Sequence, residues 1–268
     1  MLNKIQLADT TLQIWDQGTG SPLLFVHGFP LDHTMWSEQL EEFSTTHRVL
    51  AVDLRGFGGS APVTDAPLTM KQHADDLAAL LNSLAIDTPV TLCGLSMGGY
   101  VAWQFWQHHA DRLAAMILCD TRAAADTDEV ARGRRYLAER VMREGAEQAG
   151  EDLLKKLFSE ATRTHHPQRV SATREVIRRT PAASVAAAQR GMADRPDMSA
   201  FLPNITCPTL VLCGESDVIT PAAEMQRMAG QMPDSQFTLI SAAGHMAPLE
   251  NPAEANAAMR PFLARRAS

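Results

Sequence analysis

The sequence is short of several things. Its 268 residues include only four cysteines, Cys93, Cys119, Cys207 and Cys213, and no two of them stand in a Cys-x-x-Cys spacing. Three lie inside apolar, strand-like runs. The set therefore reads as buried thiols in a reducing compartment, not as a disulfide framework or a metal site. No apolar run approaches the roughly 18 residues of a membrane span. The opening "MLNKIQLADTTLQIWDQ" has no apolar stretch behind Lys4, which argues against a secretory signal. Positive charge is also in deficit: 24 Lys and Arg face 31 Asp and Glu, a net charge of −7. A basic face for nucleic acid or an anionic membrane is thus not expected. There is no internal repeat and no low-complexity linker. Together these absences predict a cytoplasmic globular protein with a small-molecule partner.

What is present is an ordinary globular composition, 45% hydrophobic and 21% charged, in a length that suits one large domain with an insertion. Two alternating pieces, "KIQLA" and "TLQIWD", predict a hairpin followed by the turn "QGTGSP". Five continuous apolar runs follow: "PLLFVHG" (22–28), "RVLAVDL" (48–54), "PVTLCGLS" (89–96), "LAAMILCD" (113–120) and "PTLVLCGE" (208–215). Such runs are what central strands of a parallel sheet look like, because both faces are buried. Helix-periodic stretches lie between them. "TMKQHADDLAALLNSLAI" (69–86) has Thr69 as its N-cap, and "PAAEMQRMAGQM" starts with Pro221 at the first helical position. Strands alternating with helices imply an open α/β sheet. From Thr121 to Pro203 the rhythm breaks into about eighty residues of helix-forming sequence, too many for a crossover. Residues 121–203 are expected to form a helical cap, because Leu137, Val141, Leu153, Leu154, Leu157 and Phe158 need burial. Residues 1–120 and 204–268 form the core that carries it.

One stretch concentrates chemistry. In "TLCGLSMGGYVAW" a strand stops at Gly94 and a helix resumes at Met97, leaving Ser96 in a Gly-x-Ser-x-Gly turn. A turn that sharp needs Gly94 and Gly98 on steric grounds and lifts the Ser96 hydroxyl clear of the backbone. A serine that merely caps the helix is the plain alternative. As a nucleophile, Ser96 needs a base that is oriented by a third group. Of nine histidines, His245 in "LISAAGHMAPLENP" sits on a loop just past the last strand, where a base must be. His108, His109, His165 and His166 read as solvated, and His27 as a structural hydrogen-bonding group. The loop "GESDVITP" offers Asp217 as the orienting acid, with Asp120 as the alternative. The chain order Ser, Asp, His is that of α/β-hydrolases. Phe29, in "FVHGFP", and Met97 would donate their N–H groups to an oxyanion. The imidazole must be neutral to accept the Ser96 proton, so activity should fall as it protonates.

"HGFPLDHTMW", "DLRGFGGS", "GLSMGG", "GESDVITP" and "AAGHM", in this order, resemble the α/β-hydrolase superfamily. The likeness is to small carboxylesterases and to cofactor-free haloperoxidase or perhydrolase-like enzymes with a helical cap. It implies a mostly parallel eight-stranded sheet flanked by helices. It also implies a Ser96–His245–Asp217 triad with Phe29 and Met97 as oxyanion donors, and no metal or organic cofactor. Asp53 and Arg55 match a structural loop motif. Haloalkane dehalogenases and epoxide hydrolases use aspartate at the elbow, where this chain has Ser96. Lactone hydrolysis, a perhydrolase side activity and a slow-turnover ligand sensor are the other readings. Phe29, Met97, Val218 and Met246 are expected to wall an apolar pocket for a small to medium uncharged acyl group.

Overall fold

A computed structural model describes residues 1–265. Residues 266–268, the end of the expected 204–268 core span, lie outside the described residues. The eight strands are β1 (Leu2–Gln6), β2 (Thr11–Gln17), β3 (Pro22–Val26), β4 (Arg48–Val52), β5 (Val90–Leu95), β6 (Leu113–Cys119), β7 (Thr209–Gly214) and β8 (Ser235–Ile240). They form one sheet in the order β1-β2-β4-β3-β5-β6-β7-β8. The pairs β1–β2 and β2–β4 are antiparallel and all others parallel. The eight-stranded, mostly parallel α/β sheet matches the expected fold class.

The helices are α1 (Ser37–Phe43), α2 (Met70–Ser83), α3 (Met97–His109), α4 (Asp128–Glu144), α5 (Glu147–Leu157), α6 (Glu160–His165), α7 (Pro167–Arg179), α8 (Ala182–Ala193), α9 (Ala222–Ala229), α10 (Ala247–Glu250) and α11 (Pro252–Ala264). Side chains of a strand alternate between faces, and the two hydrophobic clusters show it. Leu24, Val26, Leu50, Val52 and Leu92 face one cluster with Leu77 and Leu81 of α2, Val101 and Phe105 of α3 and Met225 of α9. Leu23, Phe25, Val49, Ala51 and Cys93 face the other with Phe43 of α1 and Met259 of α11. The continuous apolar runs are thus strands buried on both sides. Truncating Phe25 to alanine would cost about 3–5 kcal/mol by leaving a cavity.

Local details follow the chemistry of the ends. Thr69 caps α2, its Oγ1 accepting from Gln72 N at 3.1 Å. Pro221 is one residue earlier than expected: it is extended (φ −55°, ψ 140°), and α9 begins at Ala222. The strand β8, "SQFTLI", was not among the apolar runs because it is an edge strand with only Ile240 buried.

Residues 121–203 supply α4 to α8 and, among the described residues, no strand. Val141, Leu154, Leu157 and Phe158 are buried, and Leu154, Leu157, Phe158 and Ile177 join the cluster beneath Phe25 and Trp36. Polar ties reinforce this packing. Thr180 Oγ1 donates to Pro30 O at 3.0 Å, Ser159 Oγ to Ala242 O at 2.9 Å, and Arg179 pairs with the buried Asp32. Among the described residues no helix is long and apolar enough to cross a membrane.

Candidate active site

The strand β5 runs straight into the turn at Ser96. Ser96 adopts φ 52° and ψ −110°, a left-handed conformation that costs a non-glycine residue about 1–3 kcal/mol. The surrounding backbone leaves no alternative. A Cβ on Gly94 would lie 2.4 Å from Gly98 O, and one on Gly98 would lie 2.3 Å from Val26 O. Two further bonds hold the strained residue: Ser96 N donates to Cys119 O at 2.9 Å, and Thr121 Oγ1 donates to Ser96 O at 2.8 Å.

The three side chains expected to act together meet here. His245 Nε2 lies 2.9 Å from Ser96 Oγ, and His245 Nδ1 lies 2.8 Å from Asp217 Oδ2. Asp217 takes N–H bonds from Ile219 at 2.7 Å and Thr220 at 3.0 Å on its other oxygen, and it also accepts the Thr220 hydroxyl. Burial pushes the Asp217 carboxyl up, but the bonds from His245 and Thr220 outweigh it and hold its pKa below the ordinary value. A carboxylate can only accept. Nδ1 must therefore carry the proton, and Nε2 is left to accept from the Ser96 hydroxyl.

Asp120, the alternative acid, makes no bond to His245. It is fully buried in a left-handed backbone (φ 46°). One oxygen accepts from Gly214 N at 2.8 Å and the other from Ala247 N at 3.2 Å. Burial, followed by the Asp217 charge, pushes its pKa well up. Asp120 thus ties the end of β7 to the start of α10, the two points from which the acid and imidazole loops depart.

Glu250 was visible in the sequence only as part of a helix start, yet it frames the imidazole loop. Its Oε1 accepts from Gly244 N at 2.8 Å and Met246 N at 3.2 Å, the amides on either side of His245. Its Oε2 accepts from Ser159 N at 2.8 Å, at the N-cap of α6. One buried carboxylate therefore joins the loop of His245 to residues 121–203.

The N–H groups of Phe29 and Met97 have no protein acceptor among the described residues, and Met97 opens α3, where the helix dipole favours negative charge. Gly28 brings the Phe29 strand end close: a Cβ there would lie 2.6 Å from Leu95 Cδ2 and 3.6 Å from Ser96 Cβ. His27 is a structural clamp whose Nε2 accepts from Leu54 N at 3.0 Å and whose Nδ1 faces Gly28 O at 2.9 Å. Asp53 accepts from His33, Gly59 and Gln13, and Arg55 forks onto Asp76 and Asp9.

The expected pocket wall is only partly present. Phe29 lines a partly open cavity of about 50 Å³ together with Leu137, Leu153, Ile177 and Val185, and its lining includes none of Ser96, His245 or Asp217. Val218 does not reach it: it is 70% exposed, on the outer side of a loop whose turn is spent on holding Asp217. Met97 and Met246 are fully buried in the two hydrophobic clusters, so their side chains present no surface to a ligand. A larger cleft of about 280 Å³ between Met35 and Val176 touches none of Ser96, His245 or Asp217.

Comparison with known proteins bears on the fold. A sequence profile of the alpha/beta hydrolase fold matches residues 21–252. A thermophilic esterase from Thermogutta terrifontis is 45% identical, with 100% of each chain covered and a TM-score of 0.96. The enol-lactonase from Burkholderia xenovorans LB400 is 25% identical over 98% of this chain and 100% of that one, with a TM-score of 0.90. 3-Oxoadipate enol-lactonase 1 of Acinetobacter baylyi is 26% identical over 94% of this chain and 92% of its own length.

Proposed function

The chain belongs to the alpha/beta hydrolase family, and from that footing we propose that it is a serine hydrolase that cleaves carboxylic esters through an acyl-enzyme. The carrying observation is the continuous relay from Ser96 Oγ through His245 to Asp217. Ser96 Oγ attacks the ester carbonyl as His245 Nε2 takes its proton. Asp217 holds the imidazole by Nδ1 and stabilises its charged form. The tetrahedral oxygen rests on the N–H groups of Phe29 and Met97, each worth on the order of 3 kcal/mol in the transition state. Collapse expels the alcohol, which leaves with the proton from Nε2. Water then gives its proton to Nε2 and attacks the acyl carbon. The acid departs as the proton returns to Ser96 Oγ.

The same atoms would open a lactone, the alcohol then remaining tethered to the acid. The similarity to two enol-lactonases favours this as a second reading.

The test is hydrolysis of p-nitrophenyl esters and simple lactones by wild type and Ser96→Ala. Loss of a triad nucleophile costs about 10⁴-fold or more in kcat. A Ser96→Ala protein as fast as wild type would sink the proposal, and the faster substrate class separates ester from lactone.

A further inference from the structure

The cavity beside Phe29 is apolar except at one point. Among the residues that line it, only Gln189 has a hydrogen-bonding side chain, and Gln189 is 4% exposed. Its amide orientation is determined from behind. Arg134 Nη1 donates to Gln189 Oε1 at 3.1 Å, and a guanidinium has no acceptor, so the amide oxygen must face it. Arg134 is itself anchored, its Nε on Asp126 Oδ2 at 2.6 Å. The other oxygen of Asp126 takes Arg195 Nη1 at 2.8 Å, and the Asp126 side chain is 2% exposed. The amide nitrogen, Nε2, is thus turned away from Arg134 and donates to no group among the described residues. That NH₂ is therefore free to donate to an acceptor that enters the chamber.

We infer that this chamber receives the acyl chain of the substrate, and that Gln189 Nε2 selects acyl chains carrying an oxygen acceptor, a ketone or an ether, beyond the scissile carbonyl. The inference rests on the serine-hydrolase reading above. A chamber lined by Phe29, the proposed oxyanion donor, suits the acyl part, which stays bound through both steps, whereas the alcohol must leave before water enters. The volume of about 50 Å³ corresponds to roughly three or four water-sized groups, so the chain is short. No charged side chain lines the chamber, so the chain is neutral. Gln189 would be a specificity-determining residue and Arg134 the residue that positions it.

The test compares kcat/KM for p-nitrophenyl 4-oxopentanoate with that for p-nitrophenyl pentanoate, in wild type and in Gln189→Leu. Comparing the ratio between the two proteins removes the intrinsic reactivity of the esters. The oxo-to-plain ratio should be about tenfold higher in wild type, as expected for one lost hydrogen bond. A Gln189→Leu protein with the wild-type ratio overturns the inference. Should that variant not fold, Arg134→Met decides in its place: freeing the amide should lower the ratio, and an unchanged ratio overturns the inference. If wild type hydrolyses neither ester, the serine-hydrolase reading falls and the inference with it. Hydrolysis of both with unaltered ratios overturns the inference alone.

Discussion

The loops around Ser96 and the helices of residues 121–203 both hold polar side chains in place, by opposite means. Around Ser96 nearly every constraint is backbone and buried: glycines that no Cβ can replace, and carboxyl groups of Asp120, Asp217 and Glu250 that each accept from main-chain N–H groups. In residues 121–203 most pairs are side chain to side chain and exposed. Arg135–Asp194, Arg174–Glu151 and Arg178–Glu175 each have both partners at least two-fifths exposed. Such pairs contribute about 0–1 kcal/mol. The first region can hold reacting atoms to a fraction of an ångström but tolerates few substitutions. The second can change its sequence freely while the few buried contacts, Asp126 with Arg134 and Arg195 above all, keep the shape of the chamber.

The largest expected effect breaks the first region without unfolding it. Asp217→Asn keeps the shape of the side chain, but its amide can meet His245 Nδ1 with a donor and stabilise the wrong tautomer. We expect kcat to fall by about 10⁴-fold, with thermal unfolding little changed. A loss below tenfold would mean that Asp217 does not orient the imidazole. Next is a pH effect seated in the core. Burial pushes His73 down to about 3, and His27 is also lowered, by burial first. Between that value and the ordinary value of about 6.5, the unfolded chain binds a proton that the folded one refuses. Stability is therefore full above about pH 6.5 and falls on acidification, by about 1.4 kcal/mol per pH unit for each such group. His73→Leu should flatten the curve of unfolding free energy against pH below 6.5. An unaltered slope would show that His73 is not held neutral.

Much of the first region was legible in the sequence because its constraints are local. Gly94, Ser96 and Gly98 lie within five residues, and the elbow can be read from them alone. Asp217 and His245 each follow an apolar run on a loop marked by small residues or proline. What could not be read depended on distant contacts or on side-chain direction. Glu250 meets Ser159, 91 positions away, and nothing in "LENP" announces that partner. Gln189 depends on Arg134, 55 positions away. Val218 and Met246 read as pocket residues because they neighbour Asp217 and His245 in the sequence. A loop, however, has no fixed period, and one side chain turned to solvent while the other turned into the core. The edge strand β8 escaped because half-buried strands lack a continuous apolar run. The helices of 121–203 were legible as helices, but their amphipathic pattern does not state which face borders a chamber.

Glu250 sharpens the comparison because it belongs to both regions. Glu250→Gln replaces one acceptor oxygen with an NH₂ that must face an N–H donor, either at Ser159 or at the Gly244–Met246 pair. Disordering the His245 loop should lower kcat about 10- to 100-fold, with KM changing less, since a misplaced base weakens the transition state more than substrate binding. A fall in stability at unchanged kcat would make Glu250 a packing residue only.

The smallest effect is expected on the exposed face of the second region, and it is the one that would undo the contrast most directly. Arg174 Nε lies 2.7 Å from Glu151 Oε1, joining α7 to α5 across the outside of the chamber. The geometry is good, but Arg174 is 46% exposed and Glu151 41% at the side chain. Water and salt therefore screen the pair, and ordering two long side chains offsets much of the attraction. Arg174→Ala should change unfolding free energy by no more than about 0.5 kcal/mol, and should leave kcat/KM for a short neutral ester within twofold. A loss of 2 kcal/mol or a tenfold change in kcat/KM would mean that this surface pair holds α5 against α7. The shape of the chamber would then depend on its exposed face as much as on the buried Asp126 cluster.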